Sequence, residues 1–201
     1  MGVLVGRQAP DFTAAAVLGN GEIVDNFNFA EATKGKKAVV FFYPLDFTFV
    51  CPSELIAFDK RLAEFQKRGV EVIGVSIDSQ FSHNAWRNTE IKDGGIGKVG
   101  YTLVADVKHE ICQAFDAEHP EAGVAFRASF LIDEDGLVRH QVVNDLPLGR
   151  NIDEMLRMVD ALNFHQEHGE VCPAGWQEGK KGMDASPEGV AAYLSENAEG
   201  L

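Results

Sequence analysis

The run Ala38-Val39-Val40-Phe41-Phe42-Tyr43 leads into Phe47-Thr48-Phe49-Val50-Cys51-Pro52-Ser53-Glu54, and the fold is read outward from this junction. The first run is apolar at every position, as in a strand covered on both faces. After the junction, Leu55, Phe58, Leu62 and Phe65 recur at helical spacing. Pro52 suits a helix start, where its missing N–H costs nothing. Cys51 therefore sits where a buried strand hands over to a helix. Unpaired backbone N–H groups and the helix dipole favour an anion at that place, and the thiolate is the nucleophilic form of cysteine.

The neighbouring elements follow from the same kind of reading. A helix over 52–68 is stopped by Gly69, and Val70-Glu71-Val72-Ile73-Gly74-Val75-Ser76-Ile77 is a second buried strand. Strand, helix and strand at this length make a βαβ unit with parallel strands. Before the junction, residues 12–18 and 22–29 flank Asn20-Gly21, a two-residue turn signal for an N-terminal hairpin. Beyond it, residues 80–90 and 107–115 read as helices and 103–105 as a short strand. Strands 124–132 and 137–143 flank the turn Asp133-Glu134-Asp135-Gly136. Asn151-Ile152-Asp153-Glu154 has the form of a capping box opening a helix to about His168. The tail after it has loop composition around Cys172, then a short helix over 187–195. The expected class is α/β, a thioredoxin-like fold with a central mixed sheet, an N-terminal hairpin and a C-terminal tail. Residues 1–165 are expected to form the main domain and 166–201 a tail of the same structural unit.

Composition narrows the function. With 201 residues, 45% apolar and 24% charged, the chain reads as one globular domain. A net charge of −13 argues against nucleic acid, which requires clustered Lys and Arg, and against anionic membrane surfaces. No apolar run approaches the ~18 residues of a membrane span. The N-terminus Met1-Gly2-Val3-Leu4-Val5-Gly6-Arg7 lacks the pattern of a signal peptide, so a cytoplasmic setting is expected. Three cysteines, Cys51, Cys112 and Cys172, do not make a secreted disulfide framework.

The chemistry centres on Cys51. A C-x-x-C site would place a second thiol within the turn, and here Ser53 and Glu54 stand instead. A cysteine hydrolase would need a placed histidine base. A lone activated thiolate suits attack on a polarised O–O bond, giving a sulfenic acid that condenses with a second thiol. Thr48, three residues before Cys51, is a candidate donor to peroxide. A positive charge must come from elsewhere in the fold, and the residues alone do not choose the arginine. Thr48 reads also as a turn-packing residue and Arg127 as a strand ion pair.

The stretch from Phe41 to Pro52, Phe-Phe-Tyr-Pro-Leu-Asp-Phe-Thr-Phe-Val-Cys-Pro, closely resembles the active-site signature of typical two-cysteine peroxiredoxins of the alkyl hydroperoxide reductase C class. Ala9-Pro10-Asp11-Phe12, Val75-Ser76-Ile77-Asp78-Ser79, Asn144-Asp145-Leu146-Pro147-Leu148-Gly149-Arg150 and Glu170-Val171-Cys172-Pro173-Ala174-Gly175-Trp176 extend the resemblance over essentially the whole chain. It implies that Cys51 is the peroxidatic cysteine, shielded by Pro44, with Thr48 bonded to peroxide and Arg127 stabilising the thiolate and transition state. Glu54 and Arg150 would form the supporting ion pair, and Cys172 would resolve the Cys51 sulfenic acid from a partner subunit. It implies a homodimer assembled into a decamer, and thioredoxin or a flavoprotein disulfide reductase as electron donor. The chemistry needs no metal, flavin or nicotinamide. A holdase chaperone or a redox relay are the competing roles.

Three further features carry expectations. Cys112 lies inside an amphipathic segment and is expected to pack. His165, His168 and Cys172 have metal-like spacing, but read better as a solvated helix end. Gly94-Gly95-Ile96-Gly97 is not a phosphate loop. Family members easily over-oxidised resemble this chain in having a G-G-L-G loop and a Tyr-Phe tail helix. Here the two elements read Gly94-Gly95-Ile96-Gly97 and Tyr193-Leu194. The resemblance implies that they pack over the active site and slow its unfolding. Leu194 is expected to keep the apolar burial without the ring, and sensitivity is expected to be intermediate to high.

Overall fold

The computed structural model describes residues 2–200. Its elements are β1 (Thr13–Val17), β2 (Ile23–Asn28), α1 (Phe29–Ala32), β3 (Lys37–Phe42), α2 (Cys51–Lys60), α3 (Leu62–Lys67), β4 (Val70–Ser76), α4 (Gln80–Asn88), β5 (Thr102–Ala105), α5 (Glu110–Ala114), β6 (Arg127–Ile132), β7 (Val138–Asn144), α6 (Ile152–His168) and α7 (Pro187–Asn197). The chain divides into two compact units, Met1–Ile152 and Asp153–Leu201. The boundary expected from sequence, between 165 and 166, falls within α6.

The first unit holds one seven-stranded mixed sheet in the order β2-β1-β5-β4-β3-β6-β7. β3, β4 and β5 are parallel neighbours, and the antiparallel hairpins β1–β2 and β6–β7 flank them. Every residue of β3 is buried, as an apolar run without alternation requires. Ala38, Val40 and Phe42 join Ile73, Val75, Val104 and Phe130, with Ile111, Cys112 and Phe115, in one cluster. Phe41 points the other way and stacks on Phe58 of α2, ring centroids 4.1 Å apart, with Tyr101 edge-on at 5.6 Å. Gly74 of β4 is needed there, because a Cβ would meet Phe41 Cζ at 2.8 Å and Leu103 Cδ2 at 2.9 Å.

Several expectations are corrected. The helix expected over 52–68 breaks at Arg61, whose N–H bonds the Phe58 carbonyl three residues back. This tight turn re-aims α3 so that Phe65 stays buried, its ring 6.0 Å from Phe58. The first hairpin closes through three residues, not two. Gly21 N donates to Leu18 O, and Gly21 takes φ +91°. The helix expected over 107–115 is confined to α5, because His109 adopts φ +63° and the Asp106 carboxylate caps the N–H groups of Ile111 and Cys112. β6 begins at Arg127 and not at 124, since Val124 and Phe126 bond back to His119 and Ala117. α1, capped by the Asn28 side chain, was not anticipated.

In the second unit, Val171 pairs with Met183, and Trp176 is buried 4.7 Å from the Phe164 ring. Ser186 caps α7 through the N–H of Gly189, and Pro187 occupies its first turn. α7 buries none of its residues and Leu194 is 43% exposed, against the burial expected of it.

Candidate active site

Cys51 is the first residue of α2 and is 0% exposed. The chain reaches it from β3 through a loop whose Phe47 holds a left-handed conformation, φ +52°. For a bulky residue this is strained backbone, and it sits one residue before Thr48. Thr48 Oγ1 lies 3.0 Å from Cys51 Sγ and 2.7 Å from the Leu45 carbonyl. The hydroxyl carries one hydrogen, so it donates to one of these at a time. Pro44 is buried in the loop two residues after β3. Phe49, two residues before the thiol, is 97% exposed.

Arg127 is the first residue of β6, the antiparallel neighbour of β3. Its Nη1 lies 3.4 Å from Cys51 Sγ and 2.7 Å from Glu54 Oε2, and its Nε donates to Leu146 O at 2.6 Å. Arg150 meets the same carboxylate from the other side. Its backbone N and Nε reach Glu54 Oε1 at 2.9 and 2.8 Å, and Nη2 reaches Oε2 at 3.0 Å. Nη1 of Arg150 donates to the carbonyls of Phe42 and Ala128 and to Ser129 Oγ. The guanidinium lies 5.4 Å from the Phe41 ring centroid, so the same ring that anchors α2 also floors the ion pair. Burial alone would push the Glu54 carboxyl up. The charge and hydrogen bonds of Arg150, then Arg127, outweigh it and hold the carboxyl below its ordinary value. Burial acts against the Arg127 charge, but the hydrogen bond to Cys51 and the Glu54 charge raise its affinity for its proton.

The loop itself is pinned by a polar network that the sequence reading missed. The buried Asp46 carboxylate accepts from Tyr43 Oη at 2.9 Å and Ser82 Oγ at 2.8 Å, and lies 2.9 Å from His83 Nδ1. Asp46 N donates to Asp78 Oδ2, which also accepts from Ser76 Oγ. Burial and then the neighbouring Asp46 charge raise the Asp78 carboxyl and, far more strongly, the Tyr43 phenol. Tyr43 and Asp46 lie within the signature and could have been singled out. His83, 37 residues after Asp46, gives no local signal.

Of the residues expected at the site, Thr48, Cys51, Glu54, Arg127 and Arg150 converge in the first unit, with Pro44 at the loop entrance. Cys172 belongs to the second unit. Its Sγ lies 3.4 Å from the Ala161 carbonyl, and burial raises its thiol against the opposing charge of Arg157. His165 Nδ1 bonds the Glu170 carbonyl, so it closes the end of α6. Among the described residues, the His165, His168 and Cys172 ligand atoms form no metal-type cluster. Gly94–Gly97 follows a single 3₁₀ turn, and its Gly94 carbonyl accepts from Trp86 Nε1.

A buried thiol at a helix start, held between a hydroxyl and a guanidinium on a thioredoxin-like sheet, defines a thiol-dependent peroxidase. Comparison with known proteins gives the same class. Residues 5–141 match the AhpC/TSA family, and residues 161–196 match the C-terminal domain of 1-Cys peroxiredoxin, although this chain carries Cys172 there. The chain is 56% identical over 196 residues to alkyl hydroperoxide reductase C of Helicobacter pylori, covering 98% of each. It is 46% identical to peroxiredoxin-2 of Macaca fascicularis, covering 96% of each. The reduced 2-Cys peroxiredoxin of Plasmodium vivax superposes with a TM-score of 0.93 at 46% identity, over 96% of this chain and 100% of that one. The chain belongs to the AhpC/TSA family and is a peroxiredoxin.

Proposed function

We propose that the protein reduces hydrogen peroxide and small organic hydroperoxides, with Cys51 as the attacking thiolate. The sulfur attacks one peroxide oxygen. An S–O bond forms and the O–O bond breaks. The leaving oxygen takes a proton and departs as water or alcohol. Sulfur is oxidised and peroxide reduced by two electrons, leaving a Cys51 sulfenic acid. Charge shifts onto the peroxide oxygens in this step, so donors fixed beside the sulfur act on the transition state more than on the ground state. The observation that carries this reading is the pair of donor groups within reach of one buried sulfur, Thr48 Oγ1 at 3.0 Å and Arg127 Nη1 at 3.4 Å. Glu54 and Arg150 position Arg127, and Pro44 keeps bulk water from the loop.

Cys172 then attacks the Cys51 sulfur, the S–S bond forms and water leaves. A dithiol protein, thioredoxin or a flavoprotein disulfide reductase, returns two electrons. The resolving thiol comes from the partner of a homodimer, and dimers assemble into a decamer. The exposed Phe47, Phe49 and Phe81 support association between copies. A cytoplasmic setting, where thiols are kept reduced, fits the cycle. Sensitivity to over-oxidation is intermediate to high, through Gly94–Gly97 and Tyr193-Leu194.

One equivalent of hydrogen peroxide, followed by a non-reducing denaturing gel, tests the cycle. A covalent dimer is expected, absent in Cys51→Ser and in Cys172→Ser. Thiol loss without a dimer, dependent on both residues, would move the bridge within one chain. An unreactive Cys51 would overturn the function.

A further inference from the structure

A second cluster lies at the carboxyl end of β5, among residues the peroxide cycle does not use. The chain leaves β5 through Asp106, turns on the His109 N–H to Asp106 O bond at 2.9 Å, and enters α5. His109 Nδ1 lies 2.5 Å from Glu118 Oε1, and Gln113 Nε2 holds the other carboxylate oxygen at 2.9 Å. Cys112 Sγ sits in the same turn, 3.3 Å from the His109 carbonyl. One ligand atom each from His109, Cys112 and Glu118 lie within 4.8 Å of one another.

We propose that His109, Cys112 and Glu118 form a binding site for a divalent cation of the Zn²⁺ class, with water in the fourth position. Imidazole, thiolate and carboxylate are the donor set that suits zinc rather than magnesium or calcium. Deprotonated Cys112 and Glu118 with a neutral imidazole balance the charge of a divalent ion. A tetrahedral metal holds its nitrogen and oxygen ligands roughly 3.3 Å apart at the usual bond lengths. The His109–Glu118 pair must therefore open by less than an ångström. Access is one-sided. Cys112 is 1% exposed, whereas the His109 and Glu118 side chains are 28% and 25% exposed. The frame is rigid from beneath, because buried Asp106 accepts from the N–H groups of Ile111 at 3.0 Å and Cys112 at 2.7 Å. Glu118 is fixed by its bridge to Ala125.

To bind a cation as thiolate, Cys112 must lose its proton. A bound cation displaces that proton. Cys112 packs in the core cluster as expected, and the proposed site would add a metal role to that packing.

Cobalt(II) is the probe, since its thiolate charge-transfer band reports sulfur ligation. In Cys51→Ser/Cys172→Ser protein the sole remaining thiol is Cys112. One equivalent of Co²⁺ per chain is expected to give the band, and Zn²⁺ to bleach it and raise the melting temperature. Cys112→Ala is expected to abolish the band. Two surface changes guard against a folding failure of that variant. His109→Asn, which tolerates the left-handed backbone, and Glu118→Gln are each expected to weaken binding by about tenfold or more. Absence of the band, or binding unaltered in both surface variants, overturns the site.

Discussion

Glu54 is the residue on which both arginines of the active site depend. It is buried, and it accepts from Arg127 and Arg150 at 2.7–3.0 Å. Removing one member of a buried charge cluster leaves the others uncompensated. Glu54→Gln is expected to cost about 3–5 kcal/mol, seen as a lower urea midpoint with unchanged slope. It should also slow Cys51 oxidation, because Arg127 loses the partner that aims it. The pH dependence has a definite sign. The folded-state carboxyl lies below its ordinary value, so the unfolded chain takes up the proton first as pH falls. Stability from Glu54 is complete above the ordinary value of about 4.3 and is lost as pH drops through the lower folded value. Urea midpoints across that window should fall in the wild type, and this acid limb should be missing in Glu54→Gln.

At the scale of elements, the loop between β3 and α2 is held by Asp46 more than by its own turns. Asp46→Ala strips partners from the buried Tyr43 hydroxyl and His83 ring, and each stranded group costs about 1–3 kcal/mol. The expected result is a protein destabilised by several kcal/mol, with slower Cys51 oxidation in single-turnover peroxide reactions. A stable variant with an unaltered rate would show that the strained Phe47 backbone holds Thr48 unaided. On the over-oxidation proposal, the tail helix α7 bears on inactivation instead. It carries no buried residue, so removing residues 186–201 should leave the melting temperature of the first unit nearly unaltered. On the over-oxidation proposal, the truncated protein should survive higher peroxide doses in a titration of residual activity.

For the molecule as a whole, the sheet centre is the common support of stability and site. Phe41 is fully buried between the Phe58 stack, the Tyr101 edge and the Arg150 guanidinium. Phe41→Ala is expected to cost about 3–5 kcal/mol by chemical denaturation, with activity falling alongside. The same centre separates what was legible in the chain from what was not. β3, β4, the start of α2, both hairpins and the Thr48–Cys51 spacing were legible, because each is set by backbone period, proline and glycine geometry, or residues one turn apart. The break at Arg61 and the left-handed His109 were not, since tertiary contacts decided them against an ordinary helical pattern. Residues alone left the arginine open, and only the family resemblance named Arg127. It lies 76 positions from Cys51, and Arg150 lies 96 from Glu54. Those meetings exist because β6 pairs antiparallel with β3, and strand order is a global outcome of which faces are buried together. The Asp46–His83 network and the His109–Cys112–Glu118 cluster arise in the same way. The sequence by itself determined the central strands, the start of α2 and the one-turn spacing of Thr48 and Cys51, since these depend on short-range stereochemistry. The tertiary structure decided the guanidinium, its counter-ion and the second cluster, since these depend on residues that only packing brings within hydrogen-bond range.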